Sequence, residues 1–519
     1  MIAKVRKVWR AARREGVGGI AGLLLDRAEA ARFDRGYRKW IREYDTWGEE
    51  RLRELASAAE AMERRPLFSI VMPVYNTDER FLREALESVT GQVYGNWELC
   101  VADDASTLPH VRAVIEEFAV RDERILPVFR EKNGHISAAS NSALEVARGD
   151  LVALMDHDDV LAPHALYYLA KAVNERPDAE LIYSDEDKID GAGRRHQPYF
   201  KPAWSPELLY SHNYIGHLAA YRRERLESIG GFREGYEGSQ DYDLTLRFIE
   251  GLDAGKIVHV PRVLYHWRSV PGSVAFDSGD KGYAHERARR AIKEHFERTG
   301  ESVAVERGAK ETHRVRSVGE RPSFEVIRTS GPVFDVRDAL RLCKKGSAEV
   351  VVFITNAARE PEPDAVEELA FLANRAGVGA VGCMISDERG RVVNAGGTIL
   401  NGSVVRPYAG RSSAASGYAM RLATVGSVQI ATAECFAIRR EVFIKFGGEA
   451  AGFADLCLKL MAAGYRNIWT PWVKVRVDGG KKMDEAPVLP GSEDDPYLSP
   501  NLAVEAGRIL PAFPPRLDV

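Results

Sequence analysis

The rhythm of apolar and polar positions changes at residue 67. The run "LFSIVMPVY" (67–75) is short and apolar, as expected of a buried strand. The next stretch, "ERFLREALESVTGQ", puts Phe81, Leu82, Ala85, Leu86 and Val89 on one face of a helix. The alternation then continues. "WELCVADD" reads as strand, "HVRAVIEEFAVR" as helix, "ILPVFR" as strand, "SAASNSALEVA" as helix and "LVALMD" as strand. Strands alternating with helices of about 10–15 residues predict an α/β fold, a mostly parallel sheet with helices on both faces. Upstream, residues 26–65 are rich in Ala, Glu and Arg and read as helix ending at Pro66.

In a parallel sheet of this kind, ligands bind outside the carboxyl ends of the strands. Three predicted strand ends are polar there. Tyr75 and Asn76 follow the first, Asp103 and Asp104 the second, and Asp156, His157 and Asp158 the fourth. Three such clusters converging on one sheet edge say more than any one of them.

The pattern also repeats. "AAYRRERLESIGGF" (219–232) matches "FAIRREVFIKFGGE" (436–449), and "DLTLRF" (243–248) matches "DLCLKL" (455–460). Pro261 then matches Pro471, and "ALEVARGDLVALMDHDD" (143–159) lines up with "ALRLCKKGSAEVVVFITNAA" (339–358). The expected organisation is a helical N-terminal segment (1–65), a first α/β unit (66–300), a connector (301–320) and a second, truncated α/β unit (321–519). The second unit is short before residue 339, without room for the first two strands of the first.

Charge narrows the classes. The 72 basic and 76 acidic residues nearly balance, which argues against a nucleic-acid partner. The five cysteines are scattered without a CxxC pair, a set that suits a reducing cytoplasm better than a disulfide framework. No run reaches the ~20 apolar residues of a membrane span, and no apolar core with a cleavage site marks a signal peptide. Residues 1–14, "MIAKVRKVWRAARR", carry six basic residues and no acid. On a helical wheel Ile2, Val5, Trp9 and Ala12 share one face, the form of an interfacial helix on an anionic membrane. A solvated helix docked on its own protein is the plainer alternative.

The acidic cluster "DHDD" (156–159) needs either open solvent or a cation, because like charges at ~4 Å repel by about 1 kcal/mol even in water. In an extended segment Asp156 and Asp158 share one face, and His157 and Asp159 the other. Hard carboxylate oxygens suit Mg²⁺ or Mn²⁺. A calcium loop of the EF-hand type is excluded, since its Gly and Glu positions, counted from Asp156, hold Leu161 and Tyr167. The plain reading of the cluster alone is a solvated turn with an Asp capping the helix near Pro163.

Taken in order and spacing, "SIVMPVYN", "ADDAS", "NGHISAASN", "MDHDD" and "GSQDYDLTLR" resemble family 2 glycosyltransferases of the GT-A fold. The likeness is to bacterial enzymes of O-antigen and surface-polysaccharide synthesis, and "YSDEDKID…PYFKPAWSPELL" (183–209) is typical of that subgroup. It covers residues 67–300 strongly and 320–519 more weakly. The resemblance implies a nucleotide-diphosphate sugar donor and a glycan or lipid-linked glycan acceptor. By it, Pro73, Tyr75 and Asn76 flank the base, and Asp103 or Asp104 bonds the base or ribose, with Asp104 the better suited to a turn with Ser106. Asn133, Gly134 and Asn141 line the pyrophosphate. Asp156 and Asp158 form a DxD metal motif for Mg²⁺ or Mn²⁺, with Asp158 the direct metal contact and Asp156 a contact to ribose or metal. His266 is a further metal or diphosphate ligand, Trp267 a stacking wall and Arg268 a phosphate contact. Asp185, Glu186 and Asp187 sit near the acceptor, shape the donor pocket or belong to a solvated loop.

The resemblance also implies a catalytic base at "GSQDYD". Many relatives carry Glu-Asp there, whereas this chain has Gln240-Asp241, so Asp241 is left to accept the proton. Asp243 is the alternative, but it recurs as Asp455 in the second unit, as a structural residue would. The chemistry implied is a single in-line displacement with inversion. The second unit carries Thr355, Asn356, Ala357 and Ala358 in place of the acidic cluster and reads as a degenerate copy. A sugar-nucleotide pyrophosphorylase is disfavoured because "PVYNTDE" is no phosphate cradle, and no P-loop occurs. A non-catalytic carbohydrate-binding protein remains the alternative of a different class. The expected location is cytoplasmic, peripheral on the inner face of the plasma membrane.

Overall fold

The computed structural model describes residues 27–269, 282–400, 402–478 and 495–517. Residues 1–14, with their expected membrane contact, lie outside these. The chain divides into two compact units. The first comprises Tyr37–Trp204 and Asn213–Gly300, and the second comprises the chain through Gly36, Ser205–His212 and the chain from Glu301.

The first unit is built on one sheet. Its strands are β1 (Phe68–Val74), β2 (Trp97–Asp103), β3 (Ile125–Phe129), β4 (Leu151–Leu154), β5 (Val160–Leu161), β6 (Leu181–Ile189), β7 (Arg195–Tyr199), β8 (Ala219–Arg222) and β9 (Ile257–Arg268). Their order is β3-β2-β1-β4-β8-β6-β9-β5, with β7 beside β6. β3, β2, β1 and β4 run parallel, while β8 is antiparallel to both neighbours. This is the GT-A arrangement. The strand order reverses between β1 and β4, and the crevice at that switch point is where such sheets take ligands.

Local sequence explains these elements. All seven residues of β1 and of β2 are buried, as a strand covered on both faces requires. The helix Glu79–Thr90 buries Leu82, Ala85, Leu86 and Val89 and starts at Asp78, whose carboxylate accepts from the Arg80 amide. Each such aliphatic side chain contributes about 1.5–3 kcal/mol when fully buried. The N-terminal helix is not continuous to Pro66. It runs over residues 27–44, breaks at the sequence "DTWG" (45–48) and resumes as Glu49–Glu60.

The second unit repeats the plan with different losses than expected. Its main sheet runs Phe324–Arg328, Val350–Ile354, Cys435–Arg439, Val378–Ser386, Arg466–Arg476, Gly426–Val428. The first five strands match β1, β4, β8, β6 and β9 in order and in sense of pairing. The equivalent of β1 is therefore present, and among the described residues β2 and β3 have no equivalents. The expected connector 301–320 is instead a hairpin, Val303–Arg307 against His313–Ser317, within this unit. Residues 205–212 also belong here, where the buried Glu207 carboxylate accepts from Arg466 at 3.0 Å.

Candidate active site

At the end of β1, Pro73 is buried in the strand and Tyr75 stands 46% exposed beyond it. Asn76 takes a positive φ of 48°. Its amide donates to Ser106 Oγ at 2.9 Å, and its Oδ1 accepts from the Thr107 and Leu108 amides. The side chain thus fastens the loop after β2, leaving Tyr75 as the open surface at this strand end.

The two adjacent aspartates separate cleanly. Asp103 accepts from the Ser106 amide at 3.1 Å, so it holds the turn expected of Asp104. Asp104 accepts from Arg130 Nε at 2.8 Å and from the Gly134 amide at 2.9 Å. Its carbonyl accepts from Asn133 Nδ2. Gly134 is required by crowding, because a Cβ there would lie 2.7 Å from Arg130 Nη2 and 2.9 Å from Ala138 Cβ. Asn141 does not line this loop. It donates to the Phe232 carbonyl at 2.8 Å and accepts from the Phe232 amide at 2.9 Å, pinning the "GGF" turn.

After β4 the chain turns rather than extending. The Asp159 amide donates to the Asp156 carbonyl at 3.3 Å, which brings positions i and i+3 together. The acidic group that can share a cation is therefore Asp156 with Asp159, joined by His217, their ligand atoms all within 4.8 Å of one another. Asp158 stands outside this group. Strand alternation does not continue past Met155, so it does not set Asp156 and Asp158 on one face, although the charge of Asp156 reaches Asp158. Asp159 is fully buried, accepting from the Tyr265 hydroxyl at 2.6 Å and the Arg268 amide at 2.7 Å. Burial, then the charges of Asp158 and Asp156, push its carboxyl well above the usual range. Asp158 is also raised, chiefly by burial and partly by Asp156, with His157 opposing. Two carboxylates and an imidazole suit Mn²⁺ or Mg²⁺.

His217 is held with care. Its amide donates to Glu186 Oε2 at 2.9 Å, and its carbonyl accepts from Lys201 Nζ at 2.6 Å. Its ring stacks on Tyr265 at 4.6 Å, with Nε2 3.9 Å from Asp156. Sequence reading did not find it. It precedes β8, and only the antiparallel sense of β8 brings that strand's start to the carboxyl ends of β1 and β4.

His266 is not at this group. Neighbouring residues on a strand face opposite ways, and Tyr265 is the one turned toward Asp159. His266 Nδ1 lies 2.6 Å from Asp187, which also accepts from Tyr37 and Arg195. Burial would raise Asp187, but Arg195 and His266 outweigh it and hold the carboxyl low. Arg268 is likewise an internal clamp rather than an open phosphate contact. Its guanidinium donates to the Asp158 carbonyl and to Glu84, 4.4 Å from the centre of the Phe81 ring. Asp185 accepts from the Lys201 amide and lies 2.8 Å from His259, so the acidic "SDED" run is mostly turned inward.

Asp241 sits in the first turn of the helix Gln240–Phe248. Asn213 Nδ2 donates to its Oδ2 at 2.8 Å. Burial raises its pKa, the charge of Asp156 adds to that, and His217 opposes it. Asp241 is therefore within electrostatic reach of Asp156 and His217. Asp243 is fully buried against Arg233 and Arg247 and holds the helix in place.

Residues 69–230 match the family model for glycosyl transferase family 2. An uncharacterized protein, y4gI, of Sinorhizobium fredii is 37% identical over 504 residues, 83% of this chain and 55% of that one. The O-antigen biosynthesis protein RfbC of Myxococcus xanthus is 32% identical over 551 residues, 90% of this chain and 43% of that one. The chain thus spans about half the length of these relatives. Among solved structures, Staphylococcus aureus TarS 1–349 is 20% identical with a TM-score of 0.34, covering 44% of this chain and 72% of that one.

Proposed function

The chain carries a family 2 glycosyltransferase domain, and we propose that this domain moves a sugar from a nucleotide-diphosphate donor to a hydroxyl of a glycan or lipid-linked glycan, with inversion, in surface-polysaccharide synthesis. The observation that carries the reading is Asp241. It is a half-buried carboxylate, held by Asn213, with its pKa raised beside Asp156 at the carboxyl edge of the sheet. A base in that position accepts the proton of the attacking hydroxyl.

Asp156, Asp159 and His217 are the residues that would hold Mn²⁺ or Mg²⁺. The ion would supply neutralisation of the charge that develops on the leaving diphosphate. Glu186 and Lys201 fix His217, and Tyr265 and Arg268 fix Asp159. Tyr75 offers an exposed ring for the base to stack on, while Asn76, Asp103, Asp104 and Asn133 shape the loops around it. Only one base serves the displacement, so no covalent sugar–enzyme intermediate forms.

Among the described residues, no helix is long and apolar enough to cross a membrane. A lipid-linked acceptor would bring the protein to the cytoplasmic face of the plasma membrane, with residues 1–14 supplying basic contact to anionic lipid. RfbC is an O-antigen biosynthesis protein by name, which favours the polysaccharide pathway class for this chain as well. The test is a panel of nucleotide sugars with Mn²⁺ or Mg²⁺, scoring nucleoside diphosphate release with and without glycan acceptors. Binding of sugars without any release, across the whole panel, would favour a carbohydrate-binding protein instead.

A further inference from the structure

A buried lysine stands behind the loop that leads into β8. Residues 213–217 lie in no helix or strand, and β8 begins only at Ala219. Both ends of this loop nevertheless reach the site. Asn213 Nδ2 donates to Asp241 Oδ2 at 2.8 Å, and His217 Nε2 lies 3.9 Å from Asp156. Ladder pairing does not hold the loop, but Lys201 does. Its side chain is fully buried, and all three hydrogens of its ammonium are committed. Nζ donates to the Ile215 carbonyl at 2.6 Å, to the His217 carbonyl at 2.6 Å and to Glu186 Oε2 at 3.0 Å. Glu186 Oε2 also accepts from the His217 amide at 2.9 Å. Gly216, between the two bonded carbonyls, takes a φ of 43°, and a Cβ there would lie 3.1 Å from Glu186 Oε2. Its amide donates to Asn213 Oδ1 at 3.4 Å, so the clamp reaches both ends of the loop.

The ion pair is not what the fold needs. Burying an ammonium is costly, and a buried pair seldom stabilises more than apolar residues of the same size. Burial lowers the pKa of Lys201, with the charges of Glu186 and Asp185 opposing it. The second unit keeps the plan without the pair. In the first, Glu186 lies opposite both Tyr265 and Tyr199, and Lys201 follows Tyr199 by two residues. In the second, Ile385 lies opposite Val475 and Asn394 in the same way, and Gly396 follows Asn394 by two. Glu186 and Lys201 thus become Ile385 and Gly396. By the strand register His217 becomes Glu434, and by the sequence repeat Asp241 becomes Phe453. The clamp is lost from the unit that has lost the site.

We propose that Lys201 is a positioning residue for the sugar transfer. Its ammonium fixes the loop 213–217 so that His217 meets the cation group while Asn213 meets Asp241, and the donor-holding and proton-taking halves of the site are set together. The kinetic half of this inference rests on the transfer reading above, and the cation half rests on the geometry of the loop. Lys201 bonds to none of Asp156, Asp159 and Asp241. It acts through the backbone of the loop, which is why its loss is expected to reach two functions at once.

The test compares the natural full chain with Lys201→Met, Lys201→Met/Glu186→Gln, His217→Ala and Asn213→Ala. Methionine keeps the length of the side chain and removes every donor. The double variant also removes the carboxylate that Lys201→Met strands, and the unfolding midpoint shows that each protein is folded. Mn²⁺ binding is measured by calorimetry without donor, and kcat for nucleoside diphosphate release at saturating Mn²⁺ and donor. Both lysine variants are expected to weaken Mn²⁺ binding by about 10-fold, the scale of a support lost from behind a ligand. They are also expected to lower kcat by about 10-fold, as a displaced base would. His217→Ala is expected to reproduce the Mn²⁺ loss, and Asn213→Ala the loss in kcat with Mn²⁺ binding unchanged. Lys201→Met added to His217→Ala is expected to weaken Mn²⁺ binding no further, and added to Asn213→Ala to lower kcat no further, because residues that act through one another are not additive. Losses that simply add would mean general loosening and would overturn the proposal. A folded lysine variant with natural Mn²⁺ affinity, or with natural kcat, would overturn it too. Weakened Mn²⁺ binding in the lysine variants, with no release by the natural protein on any donor, would support the clamp and count against the transfer reading.

Discussion

The two units keep the same turn and differ in what it carries. In the first, the Asp159 amide donates to the Asp156 carbonyl, and in the second the Ala358 amide donates to the Thr355 carbonyl at 3.0 Å. Strand registers extend the correspondence, matching Leu151 with Val350, Ala220 with Ala437 and Tyr265 with Val475. The site residues Asp156, Asp159, His217, Tyr265 and Asp241 thereby become Thr355, Ala358, Glu434, Val475 and Phe453. All five side chains are replaced, although the turn and the strand pairings around them recur. Three repelling carboxylates are thus not required by the fold, which ties them to chemistry. The opposite case is Asp243 and Asp455. Both survive, and both serve structure, Asp455 accepting from the Ala451 amide at 2.8 Å and pairing with Lys459 at 3.0 Å.

The comparison can be broken by matched substitutions. Asp156→Ala is expected to lower nucleoside diphosphate release by ~100-fold or more, because the charge on the leaving diphosphate goes uncompensated. Thr355→Ala in the second unit is expected to change release by no more than about 2-fold, because Thr355 carries no charge to set against a cation or a leaving diphosphate. Comparable losses from both would mean that the second unit shares the chemistry.

The two histidines give the next contrast. His217→Ala is expected to raise the Mn²⁺ concentration for half-maximal release by about 10-fold or more. His266→Ala is expected to leave that concentration unchanged and to lower stability by about 1–3 kcal/mol in denaturant titration, since it strips a buried hydrogen bond from Asp187. A metal effect from His266→Ala would restore it as a ligand.

A pH profile sharpens the role of Asp241. The base must be ionised, and its pKa is raised, so release is lost as pH falls through a midpoint above the ~4 of an ordinary carboxylate. The charge of Asp156 contributes to the raising. In Asp156→Asn the acid limb of whatever activity remains is therefore expected to move to lower pH. A limb that moves up, or stays, would separate the two residues.

The smallest effect concerns the loop after β3. Gly134→Ala is expected to cost about 1–3 kcal/mol by overpacking, read as a lower unfolding midpoint, because Arg130 and Ala138 leave no room for a Cβ. Stability equal to that of the natural protein would show that Arg130 swings aside.

Much of this was legible in the chain. The alternation of runs gave the parallel half of the sheet, and the internal repeat gave the second unit before any coordinates. Asp241 and Asp156 stand out because both sit where an element begins or ends. What was not legible depends on how the chain bends or pairs at long range. The turn after Met155 brings Asp159 beside Asp156. The antiparallel sense of β8 delivers His217, and the facing of β9 turns His266 away. The hairpin at 303–317 hid in a stretch read as a connector, since its alternation is carried by charged residues with few apolar ones. None of these follows from local periodicity, which is blind to the direction of a strand and to a single turn.

The central claim is that one carboxylate, Asp241, takes the acceptor proton while the rest of the site holds the donor. The most direct measurement is Asp241→Asn, assayed for nucleoside diphosphate release and for equilibrium binding of the donor in the presence of Mn²⁺. The account predicts release reduced by about 100-fold or more with donor affinity retained. Normal turnover by Asp241→Asn would contradict it.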